Sequence, residues 1–308
     1  MDVSVLPVVV TDKNGKELWE NFWMRIFKME KIYQTYDNIS IFKDTQMQCI
    51  SDPYLKEAIR KTNENQEFIS EEMELEETEN YREYENSKII ISGKRTLEAA
   101  KDYPGKKVCV LNFADALIPG GMVFQGAATQ EETICRCSTL YESIARDEMV
   151  EKFYKPHRKL NFMYNDDIIY TPEVIVFRED TLKAEVLPKE EWYPVDVITC
   201  AAPNLGAIFD ANREIISRFE LMLVLGSRIE RILEVARKKG NEVLILGAFG
   251  CGAFYNPPEM VAEAFKESLE KYGKYFETVE FSIYCPKKET RNYKIFKEIL
   301  EKTEEKRD

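Results

Sequence analysis

From residue 88 to the C-terminus, apolar runs of strand length alternate with stretches of helical periodicity, and this alternation limits the possible folds more than any other feature. The strand candidates lie at 89–92, 108–113, 174–177, 195–201, 243–246 and 279–284, with helical patterns at 94–102, 130–149, 211–239, 258–273 and 290–304. Nearly continuous apolar strands separated by helices predict an α/β protein: a largely parallel sheet with helices on both faces. In the longest helical stretch Ile215, Phe219, Met222, Leu223, Ile229, Ile232, Leu233 and Ala236 are expected to form the buried face, with Gly240 as the stop.

Residues 1–87 read differently. The run at 3–10 predicts a strand, Asp12-Lys13-Asn14-Gly15 a turn, and 18–36 an amphipathic helix carrying Trp19, Phe22, Trp23, Ile26, Phe27 and Met29. Such an aromatic stripe reads as core before cofactor site. The stretch 70–85 holds eight glutamates and one arginine and reads as a solvated helix or linker. The expected organisation is thus an accessory N-terminal extension, 1–87, followed by the main domain, 88–308.

The formal net charge is −12. Proteins that grip long polyanions by counterion release need a basic surplus, so general nucleic-acid binding is disfavoured. An anionic ligand is then expected to be small or held at one end, with backbone N–H groups and helix N-termini supplying positive potential. No apolar run approaches the length of a membrane span and the N-terminus has no positive region of the kind that begins a signal peptide, so no membrane association is expected. Seven cysteines at scattered spacings predict free thiols in a reducing cytoplasm. The expected state is a monomer.

Ligands of open α/β sheets bind at the carboxyl ends of strands, and three strand candidates run there into unusual segments. The strand at 108–113 leads into Ala114 to Gly126, with Gly120 and Gly121; 195–201 leads into Ala202-Pro203-Asn204-Leu205-Gly206; 243–246 leads into Gly247 to Pro258. In the last, Gly247, Gly250 and Gly252 let backbone approach a diphosphate, or simply make a tight corner, and Phe254 and Tyr255 offer rings to a ribose or purine. It is not a P-loop, since no Gly-Lys-Ser/Thr follows. Thr129-Gln130-Glu131-Glu132 opens the next helical stretch. Thr129 with Glu132 fits a capping box, and Glu131 a first-turn carboxylate favoured by the helix dipole, so catalysis and capping both remain open on these residues alone.

The segment Leu111-Asn112-Phe113-Ala114-Asp115-Ala116-Leu117-Ile118-Pro119-Gly120-Gly121-Met122-Val123-Phe124-Gln125-Gly126-Ala127-Ala128-Thr129-Gln130-Glu131-Glu132 resembles the signature of the bacterial-type poly(ADP-ribose) glycohydrolases, a branch of the macrodomain superfamily: a glycine loop, a short spacer, then Gln-Glu-Glu. Ile169-Tyr170-Thr171-Pro172, Val176-Phe177-Arg178, Ala201-Ala202-Pro203-Asn204 and Leu246-Gly247-Ala248-Phe249-Gly250-Cys251-Gly252-Ala253-Phe254 follow in the family's order, so the resemblance covers about 88–290. It implies a macrodomain-like three-layer α/β/α fold with a mixed sheet. It implies that Glu132 is the acid/base, that Glu131 binds the ribose end and that Gln130 supports their loop. It places Gly120 and Gly121 against ribose and diphosphate, and Gly250, Cys251, Gly252 and Ala253 in the second diphosphate loop. It implies that Phe254 positions the distal ribose, and the expected ligand-binding set is completed by Asn112, Asn204 and Tyr255. The implied substrates are poly(ADP-ribose) or ADP-ribosylated acceptors, with no metal or cofactor. Two positions depart from the family pattern: Met122 stands where a third glycine is usual, and Ile118 where an asparagine is common.

Adjacent helical carboxylates point about 100° apart and cannot straddle a glycosidic bond, so one group has to serve as both acid and base. Glu132 in that role needs a raised pKa, from burial or from Glu131. Release from chain ends is the expected mode. The alternatives are an ADP-ribose reader with weak or no activity, favoured by Ile118 and Met122, and a hydrolase of mono-ADP-ribosyl or O-acyl-ADP-ribose groups. Cys251 with His157, the sole histidine, makes a third alternative, weakened by a sequence context, Lys155-Pro156-His157-Arg158, that predicts a surface turn. Cys135 and Cys137, one residue apart on a helix, point their thiols apart, against a zinc site.

Overall fold

A computed structural model describes residues 19–75, 81–210, 216–285 and 289–301, and the side chains of all of these except 19–31 and 208–210. The expected strand at 3–10, the turn at 12–15, the aromatic stripe at 19–29 and Ile215 lie outside what is described. Seven strands form one mixed sheet in the order β1-β4-β5-β3-β6-β7-β2. They are β1 Glu67–Ile69, β2 Lys88–Ser92, β3 Val108–Phe113, β4 Ile168–Val176, β5 Tyr193–Cys200, β6 Val243–Leu246 and β7 Thr278–Ser282. Strands β5, β3, β6, β7 and β2 run parallel; β4 joins β5 antiparallel and β1 joins β4 antiparallel. This is the expected α/β class.

The first five residues of β3 and all four of β6 are buried because both faces are covered. One face packs on the helices Arg218–Lys238, Pro258–Tyr272 and Arg291–Glu301. The other packs on α1 (Trp19–Ser51), α3 (Thr96–Ala100) and α4 (Gln130–Cys137). Between α1 and β1, α2 (Pro53–Asn65) starts with Asp52 as its cap, accepting from the N–H groups of Tyr54 (2.9 Å) and Leu55 (3.2 Å), and with Pro53 at the first helical position. Among the described residues, no helix is long and apolar enough to cross a membrane.

Several expectations need correction. The segment before residue 88 supplies β1, and Phe42 of α1 is fully buried against α4 and its loop. The described part of 70–85 forms no helix and serves as a linker. The stretch 130–149 is not one helix. After Cys137, Ser138 turns extended and bridges to Val176, and the Thr139 amide donates to the Ile175 carbonyl at 3.0 Å; the chain leaves helical geometry to bond the edge of β4. β4 begins six residues before the expected 174, carrying Pro172 at a bulge between Thr171 and Val174, where the missing N–H does no harm.

In the helix Arg218–Lys238 the buried stripe runs through Leu221, Leu225, Ile229, Ile232 and Ala236, while Phe219 and Leu223 are exposed. At 100° per residue, Leu223 lies about 120° from Ile229 around the axis, so the expected face was drawn too wide. Leu233, Val235 and Arg228 are buried as well, Arg228 donating to the carbonyls of Met163 (3.0 Å) and Ala201 (2.9 Å) and pairing with Asp166 at 2.9 Å. His157 is not on a surface turn. It is 1% exposed on a run of short helical segments, and its Nδ1 lies 2.7 Å from the Phe153 carbonyl. The i,i+4 spacing puts it on the same inward face as Phe153.

Candidate active site

The parallel strands deliver their carboxyl ends to one side of the sheet, and a cleft of about 580 Å³ opens there. Its walls include Asp115, Met122, Thr129, Gln130, Glu131 and Glu132 from the first loop, and Gly250, Gly252, Ala253 and Phe254 from the third.

Gln130 sets the first wall. Its Oε1 accepts from the Phe113 amide at 2.9 Å, and its Nε2 donates to the Leu111 carbonyl at 2.7 Å and to the Thr96 hydroxyl at 3.3 Å. The side-chain amide thus extends the ladder of β3 sideways and fastens the start of α4 to the strand end. The next two residues then aim their carboxylates at one point. A Cβ on Gly121 would lie 2.7 Å from Oε1 of Glu132 and 3.2 Å from Oε2 of Glu131. Gly121 itself has φ of +55°, a left-handed conformation that suits glycine.

Glu131 is the deeper of the two, 2% exposed. It accepts from the Asp115 amide at 2.7 Å and from Asn112 Nδ2 at 3.3 Å. Burial pushes its carboxyl well above the ordinary range, with a lesser contribution from the neighbouring Glu132 and Asp115 carboxylates; the Asp115 amide and Asn112 oppose the shift. Glu132 lies on the cleft wall, its Oε1 accepting from the Met122 amide at 3.0 Å and its Oε2 from the Thr129 hydroxyl. The capping box does not form: the Thr129 side chain makes no bond to the helix amides. The carboxylate faces the cleft instead.

α1 braces the glycine loop from behind. Asn38 Nδ2 donates to the Gly126 carbonyl at 2.9 Å in a buried bond, and Thr45 donates to the Arg136 carbonyl of α4 at 2.6 Å. Phe42 meets the rings of Phe124 and Tyr141 edge-on at 5.0 and 5.1 Å.

The other sequence candidates divide. Asn112 is fully buried beneath Glu131 and does not line the cleft; Gly120 packs against Tyr141 and Cys135. Asn204 accepts from the Ala207 amide at 3.0 Å and so starts the short helix Leu205–Asp210 rather than facing the cleft. Tyr255 is 68% exposed with its ring on Gly206, also outside the cleft wall. Cys251 is tucked behind the third loop, with its thiol pushed up to about 12 by burial; with His157 in the core and its basicity lowered by burial, no Cys–His nucleophile is formed. The expected second phosphate loop is on the wall through Gly250, Gly252 and Ala253.

Sequence reasoning missed part of the wall. Lys94, Arg95 and Thr96 follow β2, Ile283 and Tyr284 follow β7, and Asp180 and Asn292 complete that end. Arg95 lies over the Tyr284 ring at 4.1 Å and 3.8 Å from Asp180. Asp115 was also missed: its Oδ1 accepts from the amides of Leu117 (2.7 Å) and Ile118 (3.0 Å), and burial raises its carboxyl. The available signal was topological, since every parallel strand ends on the same side, not only the three that carry glycines.

Residues 37–179 match the family described as the microbial-type PARG catalytic domain. Poly(ADP-ribose) glycohydrolase of Thermomonospora curvata, solved with the inhibitor ADP-HPD, is 28% identical with a TM-score of 0.70, the match covering 85% of this chain and 99% of that one. The enzyme of Deinococcus radiodurans, solved with ADP-ribose, is 30% identical with a TM-score of 0.68, covering 79% of this chain and 97% of that one. No curated protein sequence matches the chain. With an identity and coverage of that order over a shared fold, the chain belongs to the microbial-type poly(ADP-ribose) glycohydrolase family.

Proposed function

We propose that the protein hydrolyses the ribose–ribose O-glycosidic bond of poly(ADP-ribose), working from chain ends and releasing ADP-ribose, with Glu132 as the single acid/base. The observation that carries this reading is the pair of carboxylates converging on Gly121 in the cleft wall, the deeper one almost fully buried and the other held by an amide and a hydroxyl. Family membership and the ADP-ribose held by the Deinococcus relative supply the ligand class. The cleft volume suits a ligand of drug size.

In this mechanism Glu132 gives its proton to the leaving 2′-oxygen of the neighbouring unit as the bond to the anomeric carbon breaks. Positive charge develops on the ribose ring, as in other glycosidases. The resulting carboxylate then takes a proton from the attacking water, which restores the acid. Glu131 does not compete for this role: burial favours its neutral form, so the pair carries less negative charge than two free carboxylates. Gly250, Gly252 and Ala253 offer close backbone approach to the diphosphate, and Phe254 a face for the distal ribose. The acidic net charge accords with a ligand gripped at one end rather than along a groove.

The test compares the native protein with Glu132→Gln on end-labelled poly(ADP-ribose). ADP-ribose release by the native protein, lost roughly a thousandfold in the variant with ADP-ribose affinity retained, supports the reading. Equal release by the variant moves the chemistry elsewhere, and long oligomers among the first products exclude chain-end cutting.

A further inference from the structure

Three large apolar side chains on the first loop, Ile118, Met122 and Phe124, are 46%, 47% and 49% exposed. Phe124 is edge-on to Phe42 and Tyr141, so its packing is already accounted for. Met122 is different. Its amide is the group that holds Glu132 Oε1 at 3.0 Å, and its side chain both lines the cleft and reaches solvent. It therefore stands at the cleft mouth, one residue from the atom that has to meet the leaving oxygen. Its backbone, at φ −96° and ψ 33°, accepts a side chain without left-handed strain, so the thioether is a built part of the site. Ile118 sits one turn away, its carbonyl accepting from the Gly121 amide at 3.0 Å.

The chemistry of the bond names what arrives there. When a ribose–ribose linkage is cut, the leaving oxygen belongs to an adenosine, so a purine follows the scissile bond out of the cleft. A polarizable thioether is a good partner for such a ring. We infer that Met122, with Ile118 beyond it, forms an acceptor-side subsite that receives the adenine of the second ADP-ribose unit, an inference that rests on the poly(ADP-ribose) reading above. Arg158 is exposed next to Ile118 in the fold, its Nε and Nη2 both donating to the Leu117 carbonyl at 3.1 and 2.9 Å, and offers a cation to the diphosphate attached to that adenosine. The subsite makes the enzyme prefer a nucleotide acceptor to an amino-acid acceptor.

The experiment uses the Glu132→Gln protein, which keeps the ligand intact, carrying Met122, Met122→Leu or Met122→Ser. The affinity for monomeric ADP-ribose is compared with that for the ribose-linked ADP-ribose dimer. With Met122 and with Met122→Leu the dimer binds roughly five- to tenfold more tightly than the monomer, and with Met122→Ser that advantage disappears. Equal affinity for dimer and monomer in the Met122 protein, or an advantage indifferent to residue 122, overturns the subsite. Native-protein turnover of polymer is measured alongside. A residue-122 effect on dimer binding without any ADP-ribose release sinks the hydrolase reading and leaves the subsite standing; release without the effect does the reverse. Binding of neither ligand overturns both.

Discussion

The amide of Met122 donates to Oε1 of Glu132 at 3.0 Å, so the glycine loop and the Gln-Glu-Glu helix meet in a single bond at the carboxylate proposed as the acid/base. On the proposed mechanism the loop is thereby part of the catalytic geometry and not only a cradle for phosphate.

Gly121→Ala tests that junction. The new Cβ would lie 2.7 Å from Glu132 Oε1, closer than real Cβ contacts allow, and the left-handed φ of +55° adds about 1 kcal/mol of strain. Displacing the carboxylate by a fraction of an ångström is expected to lower kcat by about tenfold. Thermal unfolding should fall by only a few degrees. A variant with native kcat and native Tm would show that the loop and the carboxylate are not coupled.

Thr129→Val separates catalysis from helix capping. An ordinary threonine cap is worth about 1 kcal/mol to a helix. Here the hydroxyl is turned to Glu132 and bonds no helix amide. The isosteric change should therefore leave Tm nearly unchanged while kcat drops by about five- to tenfold, the worth of one hydrogen bond. A fall in Tm with full activity would restore the capping role.

How much of this was legible depended on whether local pattern or tertiary contact decided the outcome. β3 and β6 were legible to the residue because buried parallel strands are continuous apolar runs between breakers. The Gln-Glu-Glu segment was legible as a motif, but the choice between capping and cleft was not. It depends on the Met122 amide and the Asp115 amide, ten and sixteen residues away from the carboxylates they hold. α2 and β1 were not read at all. Glu67–Ile69 is too short to show alternation and becomes a strand only by pairing with Ile168–Tyr170. Phe219 and Leu223 misled because apolar content alone does not say where a helix turns away from the sheet. His157 misled because its neighbours are charged, while the residue one turn before it is Phe153.

Asn38 carries the link between the N-terminal helix and the site. Its Nδ2 makes a buried bond to the Gly126 carbonyl, and its Oδ1 accepts from Gln34 at 3.0 Å. Asn38→Ala leaves that carbonyl without its donor, which costs about 1–2 kcal/mol. Activity assayed well below the unfolding temperature should also fall several-fold, since the glycine loop loses its brace. If activity survives while Tm drops, α1 only stabilises the fold.

The buried Glu131 makes a pH prediction with a definite sign. In the unfolded chain its carboxyl titrates near the ordinary value of about 4.3. In the folded protein burial raises it, so the folded state holds the proton more tightly. Its contribution to stability is therefore fully present below the unfolded value and is lost as pH rises through the folded one. Glu131→Gln removes this dependence, because an amide has no charge to desolvate. Relative to the native protein, the variant should be less stable or equal near pH 4, where native Glu131 is neutral and well bonded to Asp115 and Asn112. Near pH 8 it should gain, by about 1–2 °C in Tm for each kcal/mol of desolvation relieved. Thermal unfolding of both proteins across that range checks it. Parallel Tm curves, with a constant offset between native and variant, would mean that Glu131 titrates in the folded state as it does in the unfolded one, and the account of a neutral Glu131 beneath a working Glu132 would have to be abandoned.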